Sequence, residues 1–316
     1  MFKKVITIAL MALAFGASAQ ENYPNRPIKL LVAYGAGGST DQIARAMGVK
    51  LGQVLCQPIV IENKPGASGL LAANLVAKSP ADGYTLGVTA VGIFRAPHIE
   101  KTQVDPMTDL SYVSMINEFS LLIAVKKDAP WKDVKELVTY AQQHPGKLSF
   151  ASPGVLSTQQ LALSQLGGVA SVQWTHVPYK GDAEAITATL GGFTQFVGAS
   201  NTILPFVESG EMRVLASMNE SRLSEFPTVP TLKESGYPVV GASSLGIIGP
   251  RGLKPEVLRK LEQAFAEVIK DKQFLASVKA LGVEPRYMNS EQYTRYARET
   301  YDASKELVTR YGKDGK

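Results

Sequence analysis

No side chains in this sequence combine in a pattern suited to covalent chemistry. The residues that stand out are glycines and hydroxyls at two places. Gly35, Gly37 and Gly38 precede Ser39-Thr40-Asp41-Gln42, and the small turn Ser152-Pro153-Gly154 precedes Ser157-Thr158-Gln159-Gln160. Ser, Thr and Gln recur at matching offsets, and Ile43-Ala44 answers Leu161-Ala162. A serine with glutamine three residues later has the spacing of a capping box, which opens a helix. The first turn of a helix offers free N–H groups and the positive end of its dipole, so it suits an anion. Glycines ahead of it let the backbone come close to a ligand. Neither opening carries Arg or Lys, so a carboxylate there would be met by N–H groups, hydroxyls and water. So short a repeat fits two ordinary capping boxes; it also fits two similar lobes, each offering a helix start to a shared cleft.

Other chemistries find less support. Gly35-Ala36-Gly37 after a strand, with Glu62 beyond the next one, partly matches a dinucleotide fingerprint. Its third glycine is replaced by Thr40, and Asp41 would repel a pyrophosphate. The run Gly241-Ala-Ser-Ser-Leu-Gly246 misses the G-x-S-x-G spacing of a nucleophile elbow by one residue. His98, His144 and His176 are scattered and have no Cys or acid at ligand spacing. No catalytic residue, metal ligand or cofactor is therefore expected. Asp41 is expected to complement the helix dipole. Arg95 is expected to be solvated, the alternative being a carboxylate partner. Tyr34 is open between cleft wall and lobe packing. Cys56, the single cysteine, excludes an internal disulfide and is expected to be small and partly buried.

These residues need elements to position them. Apolar runs and turn signals predict strands over 30–33, 58–61, 85–89, 110–115, 120–125, 148–151, 172–177, 193–197, 213–217 and 244–248. Helices are predicted from Ser39, and over 70–78, 131–143, 158–166, 183–190 and 255–269, with one more to Leu281 and a last one capped by Ser290. Gly167-Gly168 and Gly191-Gly192 are expected to end two of these helices. Residues 91–97 are expected as a loop. The β-α-β-α-β alternation implies a parallel sheet with helices on both faces.

The first 19 residues have a basic start (Lys3, Lys4), an apolar run and Ala17-Ser18-Ala19, which together predict an export signal cleaved after Ala19. The apolar run falls short of the roughly 20 residues a spanning helix needs. The remaining chain is long enough for two domains. The net charge of +5 is dispersed rather than blocked, which argues against nucleic-acid binding.

The chain also resembles the Bug-type family, the substrate-binding proteins of tripartite tricarboxylate transporters. The resemblance lies in Tyr23-Pro-Asn-Arg-Pro-Ile-Lys-Leu-Leu-Val32, Gly37-Gly-Ser-Thr-Asp-Gln-Ile-Ala-Arg45, Gln57-Pro-Ile-Val-Ile-Glu-Asn-Lys-Pro-Gly-Ala67 and Asp82-Gly-Tyr-Thr-Leu86. It continues in His144-Pro-Gly-Lys-Leu-Ser149, His176-Val-Pro-Tyr-Lys-Gly181 and Phe226-Pro-Thr-Val-Pro-Thr-Leu232. It implies an α/β, two-lobed periplasmic binding protein of type II-like architecture, each lobe a central sheet flanked by helices. Lobe 1 would comprise 20–120 and 241–316, and lobe 2 would comprise 121–240.

The implied role is to capture a small carboxylate, such as a di- or tricarboxylate, as a monomer and deliver it to a membrane permease. A sensor-coupled binding protein and an exported enzyme are the alternatives. Contacts carried over from the family fall on Tyr34, Gly35, Ala36, Gly37, Gly38, Ser39 and Thr40, and on Thr89, Ala90, Val91 and Gly92. In the second lobe they fall on Ser152, Pro153, Gly154, Ser157 and Thr158, and on Tyr179, Asp182 and Ser200. Two departures touch this region. Ala33-Tyr34-Gly35-Ala36 stands where relatives often carry an aromatic and prolines, and Phe193-Thr-Gln-Phe-Val-Gly198 lacks an acid that many have.

Overall fold

The computed structural model describes residues 23–312 except 242 and 282. The export signal and its cleavage site lie outside the described residues. The first strand, β1 (Ile28–Val32), is buried except for Lys29. It pairs in parallel with β2 (Ile59–Asn63) on one side and β3 (Thr85–Ala90) on the other. Alternation along it sends side chains to both faces. Leu30 and Val32 join Ile43, Met47 and Leu51 of helix α1 (Ser39–Leu55), whereas Leu31 and Ala33 join Ala73 and Val76 of helix α2 (Leu70–Ala77).

The rest of this sheet departs from the parallel expectation. Its order is β11-β4-β10-β3-β1-β2. Strand β10 (Ser244–Pro250) runs antiparallel between β3 and β4 (Leu110–Glu118). The edge strand β11 (Glu284–Met288) has no predicted counterpart. Glu-Pro-Arg-Tyr-Met carries neither an apolar run nor alternation, and it pairs only with β4.

The second sheet has the order β7-β6-β8-β5-β9. It comprises β5 (Leu122–Lys126), β6 (Leu148–Ser152), β7 (Trp174–Pro178), β8 (Phe196–Ala199) and β9 (Met212–Ser217). It too is mixed: β6 is parallel to β7 and β8, and β5 is antiparallel to β8 and β9. Strand β8 starts later than predicted because the turn after the glycine pair runs on through Gln195, with Phe193 in it 79% exposed.

Two helix ends show different uses of paired glycines. Counting the four-residue α3 (Gly92–Arg95), α4 (Val134–Gln143), α5 (Thr158–Ala170) and α6 (Asp182–Leu190), α6 stops at Gly191 as expected. Helix α5 instead continues through Gly167-Gly168 and ends at Ser171, which adopts φ 54° and sends its N–H to the carbonyls of both glycines. The pair serves close packing. A Cβ on Gly167 would lie 3.1 Å from the Trp174 indole, and one on Gly168 would lie 3.1 Å from the Tyr311 ring.

After α7 (Leu204–Glu208), three helices follow the second sheet: α8 (Pro255–Val268), α9 (Lys272–Ala280) and α10 (Ser290–Tyr311). Helices α8 and α9 pack on α1, and α10 packs on β4 and α3 while also touching α5. The Gln160 amide donates to the Tyr311 carbonyl at 3.2 Å, tying the end of α10 to the second sheet's layer. Among the described residues, no helix is long and apolar enough to cross a membrane.

Tyr293 of α10 is fully buried over Gly246 of β10, where a Cβ would sit 2.1 Å from its hydroxyl. Gly246→Ala should therefore cost about 1–3 kcal/mol through overpacking. Urea unfolding followed by circular dichroism measures this, and an unchanged midpoint would refute the packing argument.

Candidate functional site

The segment after β1 turns through Gly37, at φ +80°, into α1. The N-cap is Gly38 rather than the predicted Ser39, and no side chain caps the helix there. Two neighbours hold the turn instead. The Gln42 amide donates to the Gly37 carbonyl at 2.7 Å, and the Gly37 N–H donates to Asp41 Oδ2 at 3.0 Å. Asp41 also accepts from Arg45 Nε at 3.0 Å and from Asn63 Nδ2 at 2.9 Å. Burial pushes its carboxyl up, but the bonds from Arg45, the Gly37 N–H and Asn63 outweigh that and hold it below the usual range. Asp41 thus braces the turn, beyond its expected dipole role.

The second opening is capped as predicted. Ser157 is the N-cap of α5, and its hydroxyl accepts from the Gln160 N–H. The Gln160 side chain accepts from the Leu156 N–H at 3.1 Å, one residue short of a full capping box.

Both openings line one cleft. From the first sheet's side come Tyr34, Gly38, Ser39, Thr40, Ala90, Val91 and Gly92. From the second come Pro153, Ser157, Thr158, Asp182 and Ser200. These were all singled out in the sequence.

The other candidates lie elsewhere. Gly154 and Tyr179 line an adjoining cavity with Tyr34 and Ser68. Ala36 and Gly37 are exposed. The Gly35 N–H donates to the Lys180 carbonyl at 3.3 Å. Thr89 is buried with its hydroxyl on the Ala90 carbonyl, and the buried Ser152 hydroxyl lies 2.7 Å from His176 Nε2. Four lining residues were not among the candidates: Phe119, Gln159, Gly181 and Ser243. Gln159 and Gly181 adjoin predicted contacts. Phe119 and Ser243 sit where the chain passes between sheets, and no local pattern marks them.

Contacts join the two sides. The Ser39 hydroxyl donates to Asp182 Oδ2 at 3.0 Å. The Ser200 hydroxyl lies 3.0 Å from Ser39 Oγ and also bonds Asp182 Oδ2. Burial raises the Asp182 carboxyl's pKa, against the lowering effect of Ser200 and Ser39. Tyr34 forms cleft wall, and burial pushes its phenol up to about 12.

Arg95 corrects an expectation. It is buried on α3, where a loop was predicted, and it does not line the cleft. Its Nη1 donates to the Leu156 carbonyl at 2.9 Å and to Thr158 Oγ1 at 3.0 Å. Burial lowers its guanidinium to about 10, still charged at neutral pH.

The remaining reactive types serve structure. His98 Nε2 lies 2.7 Å from the Tyr301 carbonyl, and His144 stacks on Tyr140. His176 stacks on Phe150. Cys56 is exposed rather than partly buried, because it takes the left-handed C-cap of α1 at φ 52°. Among the described residues, no cluster of His, Cys, Asp or Glu could hold a metal ion.

The "Tripartite tricarboxylate transporter family receptor" description matches residues 43–313. A relative from Cupriavidus necator, "UPF0065 protein in gbd 5'region", is 38% identical over 97% of this chain and 94% of its own length. Protein BugT of Bordetella pertussis is 32% identical over 91% of this chain and 89% of its own. Among solved structures, R. palustris Rpa4515 with adipate superposes with a TM-score of 0.87 at 29% identity, covering 92% of this chain and 98% of that one. MatC from Rhodopseudomonas palustris with bound malate gives 0.83 at 28% identity, covering 90% and 100%.

Proposed function

We propose, for a chain that belongs to the tripartite tricarboxylate transporter receptor family, that it captures a small organic acid in the periplasm and hands it to a membrane permease. One observation carries this reading. Two helix openings, from the layers of two different sheets, face one small cleft lined by hydroxyls and glycines. Helix starts meet an anion with N–H groups and dipole. Among the described residues lining the cleft there is no Lys or Arg, so the charge would be held by hydrogen bonds. Such bonds to a charged group contribute roughly 1.5–3 kcal/mol each. The relatives bound to adipate and malate are consistent with an acid of four to six carbons. In this proposal the export signal is cleaved after Ala19, and residues 20–120 with 241–316 move as one lobe against 121–240.

The test is a thermal-shift screen over mono-, di- and tricarboxylates, followed by mass spectrometry of the recovered ligand. A ligand that binds only the folded state raises its melting temperature. At least one acid should shift the transition and be recovered unaltered. A panel without effect, or a chemically converted ligand, would defeat the reading.

A further inference from the structure

Arg95 is a buried cation without an acid. It lies on α3, just after β3 of the first sheet, and is 4% exposed. Its Nη1 donates to two neutral acceptors from the layer of the second sheet, the Leu156 carbonyl at 2.9 Å and Thr158 Oγ1 at 3.0 Å. Its Nε is buried and has no partner in the protein. The ionisable groups whose charge acts on it are the phenols of Tyr34 and Tyr296, with no carboxylate among them. Glu299 lines a groove together with Arg95 but is exposed. A buried charge is costly unless another charge compensates it.

Its placement adds to that cost. Leu156 and Thr158 flank Ser157, the N-cap of α5, and Thr158 is the first residue of that helix. A helix start carries the positive end of the dipole, where a cation is disfavoured. Two positive features thus share one place, and Thr158 lines the cleft there. Arg95 is not part of the lining, so its charge reaches the cleft at one remove, through Thr158. The cleft wall feels it: burial raises the Tyr34 phenol, and the Arg95 charge acts against that rise. An anion in the cleft would offset both the guanidinium and the helix start.

Resting on the carboxylate reading above, we propose that Arg95 is a positioning residue for the ligand: its charge, fixed at the start of α5 by Leu156 and Thr158, is the counter-charge of the bound carboxylate. The N–H groups and hydroxyls of the lining make the contacts. Arg95 supplies from behind them the positive charge that the lining lacks. In return, the bound acid compensates a guanidinium that no carboxylate among the described residues pairs with.

Two variants separate charge from packing. Arg95→Gln keeps a hydrogen-bond donor and drops the charge, whereas Arg95→Lys keeps the charge and drops the planar fork. The probe is the tightest binder of wild type among acetate, succinate, adipate and citrate, measured by calorimetry at pH 7. Arg95→Gln should bind it on the order of 10- to 100-fold more weakly, and Arg95→Lys should recover most of that loss. Circular dichroism confirms folding. Should Arg95→Gln fail to fold, Arg95→Lys decides alone. Burial lowers a lysine's pKa, so its affinity should fall as pH rises from 7 to 9 while wild type holds. Tyr34, Tyr296 and Glu299 are present in both proteins, so wild type is the control for their titration.

A folded Arg95→Gln protein that binds like wild type would overturn the proposal and leave the carboxylate reading standing. So would an Arg95→Lys protein as weak as Arg95→Gln, because the fork and not the charge would then matter. In the fallback, an Arg95→Lys affinity as flat with pH as that of wild type would overturn it. If wild type binds none of the four acids, the carboxylate reading falls and takes this proposal with it.

Discussion

Gly38→Val should abolish binding of whichever acid the screen identifies while leaving the protein folded. Gly38 is buried, lines the cleft and caps α1. Its φ of −73° and ψ of 165° are open to any residue, so the backbone is not strained by a side chain. A Cβ there would meet only the Gly35 carbonyl, at an ordinary 3.5 Å. The branches of a valine, however, occupy the approach to the first-turn N–H groups. Losing one or two hydrogen bonds to a charged group weakens binding by roughly a hundredfold or more. Calorimetry beside circular dichroism separates the two effects. A Gly38→Val protein that binds like wild type would show that the α1 opening does not hold the ligand.

The second large effect concerns stability. Arg95→Glu should cost about 3–5 kcal/mol, the range for leaving a buried charge uncompensated. The guanidinium is 4% exposed and donates to the Leu156 carbonyl and the Thr158 hydroxyl. A carboxylate in its place would face that carbonyl with no hydrogen to give. Urea unfolding should show the midpoint falling sharply, and a midpoint within error of wild type would reject the role assigned here. The contrast with Gly38 is one of kind, since one change empties the site and the other loosens the frame around it. From sequence, Arg95 was expected to be solvated, and the fold buries it instead.

That reversal shows where sequence was informative. Strand, glycine turn and helix start are local signals, and they placed β1 with α1 and β6 with α5 without any knowledge of the fold. Ser157 as a cap needs only its own helix. Ser39 was misjudged because its partner, Asp182, comes from a distant part of the chain. Arg95 was misjudged for the same reason: whether a cation is solvated depends on what covers it, and here Leu156 and Thr158 do. Strand β11 was missed because an edge strand needs no apolar alternation. Phe119 and Ser243 reach the cleft through chain crossings that composition does not mark. The mixed character of both sheets likewise depends on which strands return, and from where.

The position of β10 has a consequence for how the chain assembles. Strands β3 and β4 follow one another in sequence, yet β10 stands between them and bonds to both. Until synthesis has passed Pro250, each therefore has a bare edge facing the place its neighbour will take. The strands of the other sheet come from one uninterrupted stretch, Leu122 to Ser217. That stretch holds all its strands long before the chain ends, so the second sheet can form before the first is complete. In the interval the two bare edges are templates for pairing with another chain. Incomplete chains thus carry two edges that β10 covers in the finished fold.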